Sequence, residues 1–222
     1  VIALDQRGHG KSQRSEKVAY SLDDHFSDIA AFVESLDLHD LTLVGHSMGG
    51  RNALFYAACN PSRVKRLVMV DARPGSNEKG ADALMELLAR FPLKARSLDE
   101  VVQAIRTLYP HVSPKMCRHI ASHGYRPGEN GTLIPRYDVR MALLSGRFRG
   151  VADDLWVFMS NVLCPTLVVR GKESPFLSGE EAGAICARIA GAKWVEIDGA
   201  SHMPAQENPD AFVKVLVDFL SE

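Results

Sequence analysis

The chain has 222 residues, 46% of them hydrophobic and 24% charged, with Lys+Arg 26 against Asp+Glu 27 and a net charge of -1. That length fits one domain, or one domain with a large insertion. The balance excludes a largely disordered chain and argues against a nucleic-acid or anionic-membrane surface as the main role.

No apolar run approaches the roughly 18 residues of a membrane helix. The opening Val1-Ile2-Ala3-Leu4 meets Asp5 at once, unlike a signal peptide. Four cysteines (Cys59, Cys117, Cys164 and Cys186) stand far apart without a CxxC pair. They read as reduced thiols of a cytoplasmic protein, not as a disulfide scaffold or a zinc ribbon.

Val1–Leu4 reads as a short buried strand that leaves through the Gly-rich loop Asp5 to Ser12. Ser21-Leu22-Asp23-Asp24 resembles a capping box. Behind it Leu22, Phe26, Ile29, Val33 and Leu36 recur at helical spacing. Leu41–Val44 is a second strand, Gly45 to Gly50 a tight turn, and Met48 to about Cys59 a helix stopped by Asn60-Pro61. Val64–Val70 is a third strand. From Arg73 to about Asp154 the pattern is helical, rich in Arg and Pro, with no convincing strand. Pro165–Arg170 and Trp194–Ile197 are further strands, and Gly179–Ile189 and Pro209–Leu220 are helices. Strands alternating with helices predict an α/β fold: a mostly parallel sheet flanked by helices. Residues 1–72 and 155–222 would form the core, and 73–154 a helical insertion. Ligands of such sheets bind beyond the carboxyl ends of the strands.

Gly45-His46-Ser47-Met48-Gly49 matches G-x-S-x-G between a strand and a helix, the context that gives the pattern meaning. A sharp turn holds the serine in a strained conformation and needs glycines where side chains would clash. The helix N-terminus offers N–H groups and positive potential to a developing oxyanion. Late in the chain, Asp198-Gly199-Ala200-Ser201-His202 follows the last strand, where a histidine can act as general base to Ser47. Gly10-Lys11-Ser12 imitates a phosphate loop, but the required earlier glycine is Asp5. Asp5 and Arg7 read as braces of that loop. His119 and His123 have zinc-protease spacing, but Ile120 stands where the glutamate must be, so no metal site is expected.

Together, Val1–Ser12, Leu43–Gly50, Pro165–Ser178 and Gly199–Phe219 resemble the α/β-hydrolase superfamily, most specifically through Asp5-Gln6-Arg7-Gly8-His9-Gly10-Lys11-Ser12 and Gly45-His46-Ser47-Met48-Gly49-Gly50. The likeness is to small esterases, lactonases and C–C bond hydrolases with a helical cap. The resemblance implies Ser47 as nucleophile, His202 as base, the Met48 backbone N–H as an oxyanion donor and 73–154 as the cap that shapes the substrate pocket. The family's acid usually follows the strand that here is Pro165–Arg170, four residues past Gly171. That position is Pro175, which can neither accept a histidine N–H nor stabilise an imidazolium. Asp71, at the end of the third strand, and Glu173 are the alternatives; a chain with no working acid is the third. The family also has three strands before the one that opens this chain. One of them carries a second oxyanion donor and lies between Val1–Leu4 and Leu41–Val44. This implies an N-terminally truncated sheet, either split or closed by direct pairing of those two strands.

The expected function is a serine hydrolase cleaving carboxylic ester-type acyl bonds of a small-molecule substrate, without cofactor or metal. Alternatives are a C–C bond hydrolase or acyltransferase on the same residues, or a ligand-binding protein on a degenerate hydrolase fold. An aspartyl nucleophile is disfavoured because position 47 is Ser. Arg136, Arg140, Arg147 and Arg149 are candidate ligands for an anionic substrate group, with a solvated face as the alternative.

Overall fold

The computed structural model describes residues 1–75, 86–144 and 154–222. In chain order the elements are α1 (Leu22–Ser35), β1 (Leu41–His46), α2 (Met48–Cys59), β2 (Val64–Val70), α3 (Leu98–Leu108), α4 (Pro114–Gly124), β3 (Tyr125–Pro127), β4 (Leu133–Pro135), β5 (Thr166–Gly171), α5 (Gly179–Cys186), β6 (Lys193–Ile197), α6 (Pro204–Glu207) and α7 (Pro209–Leu220). They divide into two compact units: Phe26–Asn77 with Gly150–Glu222, and Val1–His25 with Glu78–Arg149.

The first unit is built on a parallel four-stranded sheet in the order β1-β2-β5-β6. β5 is buried at every position and β2 at all but Lys65 and Arg66. Both strands therefore read as near-continuous apolar runs, as a sheet covered on both faces requires. Side chains alternate across the sheet. Val68, Val70, Leu167, Val169 and Ile197 gather with Phe219 of α7, against Phe212, Val215 and Leu216. Leu67 and Met69, also fully buried, serve the opposite face. α2 packs on β1 and β2 and buries Leu54, Phe55 and Tyr56, with Phe55 5.1 Å from the Phe26 ring.

Register fixes where the loops emerge. His46 of β1 stands beside Val70 of β2, Val70 beside Val169 of β5, and Gly171 beside Ile197 of β6. The carboxyl ends of all four strands thus lie level, and the segments after each strand leave along one edge.

The second unit contains α3 and α4, each opened by a serine cap. Ser97 accepts the Glu100 N–H and Ser113 the Met116 N–H. α3 buries Val101 and Ile105; α4 buries Cys117 and Ala121. β3 and β4 form an antiparallel hairpin through a turn in which Asn130 and Gly131 take positive φ, 54° and 72°. Residues 1–25 are tied into this unit by Tyr20, which donates to Asp138, and by Ser15, whose carbonyl accepts from Arg140. Asp5 accepts the Lys11 N–H, its carbonyl accepts the Ser12 hydroxyl, and Arg7 pairs with Asp24 at 3.2 Å. Asp5 and Arg7 brace the loop as expected.

Three expectations are corrected. Val1–Leu4 is not a strand. Among the described residues no strand pairs with it, and Ile2 and Leu4 are exposed. An apolar run becomes a strand only where a neighbour satisfies its backbone groups. The direct pairing of Val1–Leu4 with β1 does not occur. The stretch 73–154 does hold strands, β3 and β4; at three residues each they are too short for period-two alternation to show. Lastly, Arg140 is no free anion ligand. Its guanidinium grips Asp138 at 2.6 Å. Arg136 donates from Nε to the Tyr125 carbonyl. Arg147 and Arg149 lie outside the described residues.

Candidate active site

Ser47 follows β1 directly and has φ 51° and ψ −119°, a conformation that costs a non-glycine residue on the order of 1–3 kcal/mol. The turn is held by its ends. The Ser47 N–H extends the sheet ladder to the Val70 carbonyl at 2.9 Å, and the Ser47 carbonyl accepts from Gly50 and Arg51 in the first turn of α2. A Cβ at Gly45 would collide with the Gly49 backbone, so only glycine lets strand and helix meet this closely. Met48 is the first residue of α2. Its N–H belongs to the helix's unpaired first turn, where negative charge is favoured.

Asp71 follows β2 and also has positive φ, 45°, a region that aspartate enters more readily than most residues. It is buried, and its two oxygens receive three donors: Gly171 N–H on Oδ1 at 3.3 Å, and Ser174 Oγ–H at 2.5 Å and His202 Nδ1–H at 2.7 Å on Oδ2. With Nδ1–H directed at a carboxylate, neutral His202 carries its lone pair on Nε2, the tautomer a general base requires.

His202 follows β6 in a loop that is pinned on both sides. The Glu207 carboxylate, at the end of α6, accepts the Ser201 N–H at 2.8 Å, the Ser201 hydroxyl at 2.9 Å and the Met203 N–H at 2.9 Å. A Cβ at Gly171 would strike the Ser201 carbonyl, so the end of β5 passes directly beneath this loop. On the His202 backbone, the carbonyl accepts His46 Nε2–H at 2.5 Å, and the two imidazole centroids are 4.6 Å apart. This contact brings the residue before Ser47 against the histidine loop. The Phe176 ring lies 4.3 Å from the His202 ring. Desolvation of its inner edge, and then the neighbouring His202, push the His46 pKa down to about 4, so His46 is neutral at neutral pH.

Of the sequence candidates, Ser47, Met48, Asp71 and His202 stand along the carboxyl edge of the sheet within one compact unit, with Asp71 bonded to His202. Glu173 is exposed; its N–H donates to the Ala200 carbonyl. Sequence reasoning missed Ser174, Glu207 and His46. The Ser before Pro175 and the Glu five residues after His202 were the available signals, but neither spacing names a bond by itself. Among the described residues no group of three or more His, Cys, Asp or Glu is placed to hold a metal ion. No helix among them is long and apolar enough to cross a membrane.

The chain is 29% identical over 220 residues to 2-(acetamidomethylene)succinate hydrolase of Mesorhizobium japonicum, covering 99% of this chain and 78% of that protein. The crystal structure of E-2-(acetamidomethylene)succinate hydrolase superposes with a TM-score of 0.86 at 29% identity, over 98% of this chain and 80% of that one. An esterase of Mycobacterium tuberculosis is 28% identical over 226 residues, covering 97% of this chain and 72% of the esterase. Residues 1–209 match the model of the alpha/beta hydrolase fold, and the chain belongs to that family as a hydrolase.

Proposed function

We propose that the chain is a serine hydrolase of small carboxylic esters and related acyl compounds. Ser47 attacks the substrate carbonyl while His202 Nε2 takes its proton. Asp71 holds the imidazole in the required tautomer and stabilises the imidazolium. The Met48 N–H, at the head of α2, donates to the oxyanion. His202 then protonates the leaving group, and water, activated by the same histidine, releases the acyl group from Ser47. Residues 1–72 with 155–222 are assigned as the hydrolase core and 73–154 as the insertion that selects the substrate. Four free cysteines support a reducing, cytoplasmic setting.

The observations that support this reading are the buried Asp71–His202 bond and a strained serine, both at the ends of strands of one sheet. A second reading, acyl cleavage in a non-ester compound on the same residues, is favoured by the likeness to 2-(acetamidomethylene)succinate hydrolase.

Purified chain is labelled with a fluorophosphonate, mapped by intact mass and peptides, and assayed on p-nitrophenyl esters and on 2-(acetamidomethylene)succinate. The expected adduct sits on Ser47 and is lost in His202→Ala. Turnover that survives Ser47→Ala would overturn the reading.

A further inference from the structure

The loop after β5 holds a serine, Ser174, one residue before Pro175. Its hydroxyl donates at 2.5 Å to Asp71 Oδ2, the same oxygen that accepts His202 Nδ1–H. The hydroxyl is itself aimed. Ser174 Oγ accepts the Phe176 N–H at 3.1 Å and the Leu177 N–H at 3.4 Å. A serine hydroxyl has two acceptor lone pairs and one hydrogen. With both lone pairs taken by amides, its hydrogen is left for the carboxylate.

The bond to the imidazole does not by itself set the plane of the Asp71 carboxylate, because the terminal torsion of aspartate is broad and roughly two-fold. A second donor on Oδ2, with Gly171 N–H on Oδ1, fixes that plane. Asp71 is buried, so water is a poor substitute for either donor. The same short loop also carries Phe176, whose ring lies against His202.

Resting on the hydrolase reading above, we propose that Ser174 is a positioning residue that fixes the Asp71 carboxylate for His202. The loop after β2 supplies the charge, and the loop after β5, with proline at 175, supplies the hydroxyl that orients it.

The test follows the far-downfield proton resonance of His202 Nδ1–H, assigned by its loss in His202→Ala, together with kcat and KM on the best ester. In Ser174→Ala the resonance moves and broadens, and kcat falls on the order of 10–100-fold, the scale of a small misplacement of a reacting group, with KM nearly unchanged. Ser174→Thr, which keeps the hydroxyl, returns both toward the wild type. Should Ser174→Ala not fold, Ser174→Cys, with a thiol of similar size and weaker donation, is read the same way.

A resonance and kcat unchanged in Ser174→Ala would overturn the proposal. So would equal impairment of the Ala and Thr variants, or no such resonance in the wild type. The two readings fail separately. If wild-type Ser47 takes no fluorophosphonate, the hydrolase reading falls, and the resonance still decides the role of Ser174. If Ser47 labels and the resonance ignores Ser174, only this proposal falls.

Discussion

Among the described residues each compact unit buries one aspartate, and the two are held by similar parts. Asp138 is 2% exposed and Asp71 1%; each accepts a hydroxyl at 2.5 Å, from Tyr20 in one case and Ser174 in the other. They differ in the third partner. Asp138 faces Arg140, whose Nε and Nη2 fork onto both carboxylate oxygens. Asp71 faces His202. An arginine never surrenders its proton in a protein, so the Asp138 pair is a fixed charge and a fixed shape. A neutral imidazole carries a lone pair on its second nitrogen, which a guanidinium lacks, so the two pairs offer different chemistry. Burial and short bonds alone therefore do not mark a catalytic carboxylate. The chemistry of the partner separates the two.

The largest effect expected from this contrast is at Asp71. Asp71→Asn keeps the volume but removes the charge and permits the wrong imidazole tautomer. A loss in kcat on the order of 10⁴ is expected, the cost of that change in the serine-protease triad. Glu173→Gln, run beside it, leaves kcat at the wild-type level. The reverse ranking would return the acid to the loop after β5.

Why the acid was left open in the sequence, while Ser47 and His202 stood out, follows from distance along the chain. The turn around Ser47 is local: glycines, serine and helix start fall within six residues, and the clash that demands Gly45 lies inside the same turn. His202 follows a recognisable last strand. Asp71 becomes the partner of His202 only through the register of β2 on β5 and of β5 on β6, and 131 residues separate the two. Ser174 is 103 residues from the oxygen it touches. The core strands were legible because β2 and β5 are buried on both faces. Val1–Leu4 misled for the same reason, since an apolar run says nothing of whether a partner strand is there. The hairpin β3–β4 was invisible because three residues carry no period.

The next effect sharpens the contrast from the other side. Asp138→Asn leaves the buried Tyr20 hydroxyl poorly matched and removes the charge that the more exposed Arg140 fork faces, so the fold is destabilised. The loss should appear in denaturant midpoint, with fluorophosphonate labelling of Ser47 retained. It also carries a pH signature. The Arg140 hydrogen bonds hold the Asp138 carboxyl well below the usual carboxylate range, against the opposing pull of desolvation. A carboxyl depressed on folding contributes stability above its unfolded pKa, about 4, and loses it as pH falls toward the folded value. The wild type should thus lose stability below about pH 4 more steeply than Asp138→Asn. Parallel acid limbs would mean that the pair is electrostatically idle.

Glu207 comes third, because it touches the backbone on either side of His202 and not the ring. Glu207→Gln keeps one carbonyl acceptor but places an NH₂ where donors already point. We expect kcat to fall about tenfold, roughly 1.4 kcal/mol of barrier, with little change in KM. A rise in KM alone would place Glu207 in substrate binding instead of loop geometry.

The smallest effect concerns His46, the second histidine of the site and the one that does not face a carboxylate. It bonds the His202 carbonyl from Nε2, and its ring is crowded on that side. Desolvation and the His202 charge push its pKa down to about 4, while the carbonyl bond and Asp71 pull the other way. In the unfolded chain the same histidine titrates near 6.5. Between about pH 6.5 and 4 the unfolded state therefore holds a proton that the folded state does not, and stability falls as pH falls through that window. The outer surface of His46 is exposed, so solvent screens part of the penalty and the slope should be shallower than a fully buried imidazole would give. His46→Gln keeps a donor for the carbonyl and removes the titration. Denaturation at pH 7 and pH 5 should then show a smaller loss in the variant than in the wild type. Equal losses would mean that the folded chain accepts the His46 charge against the His202 ring.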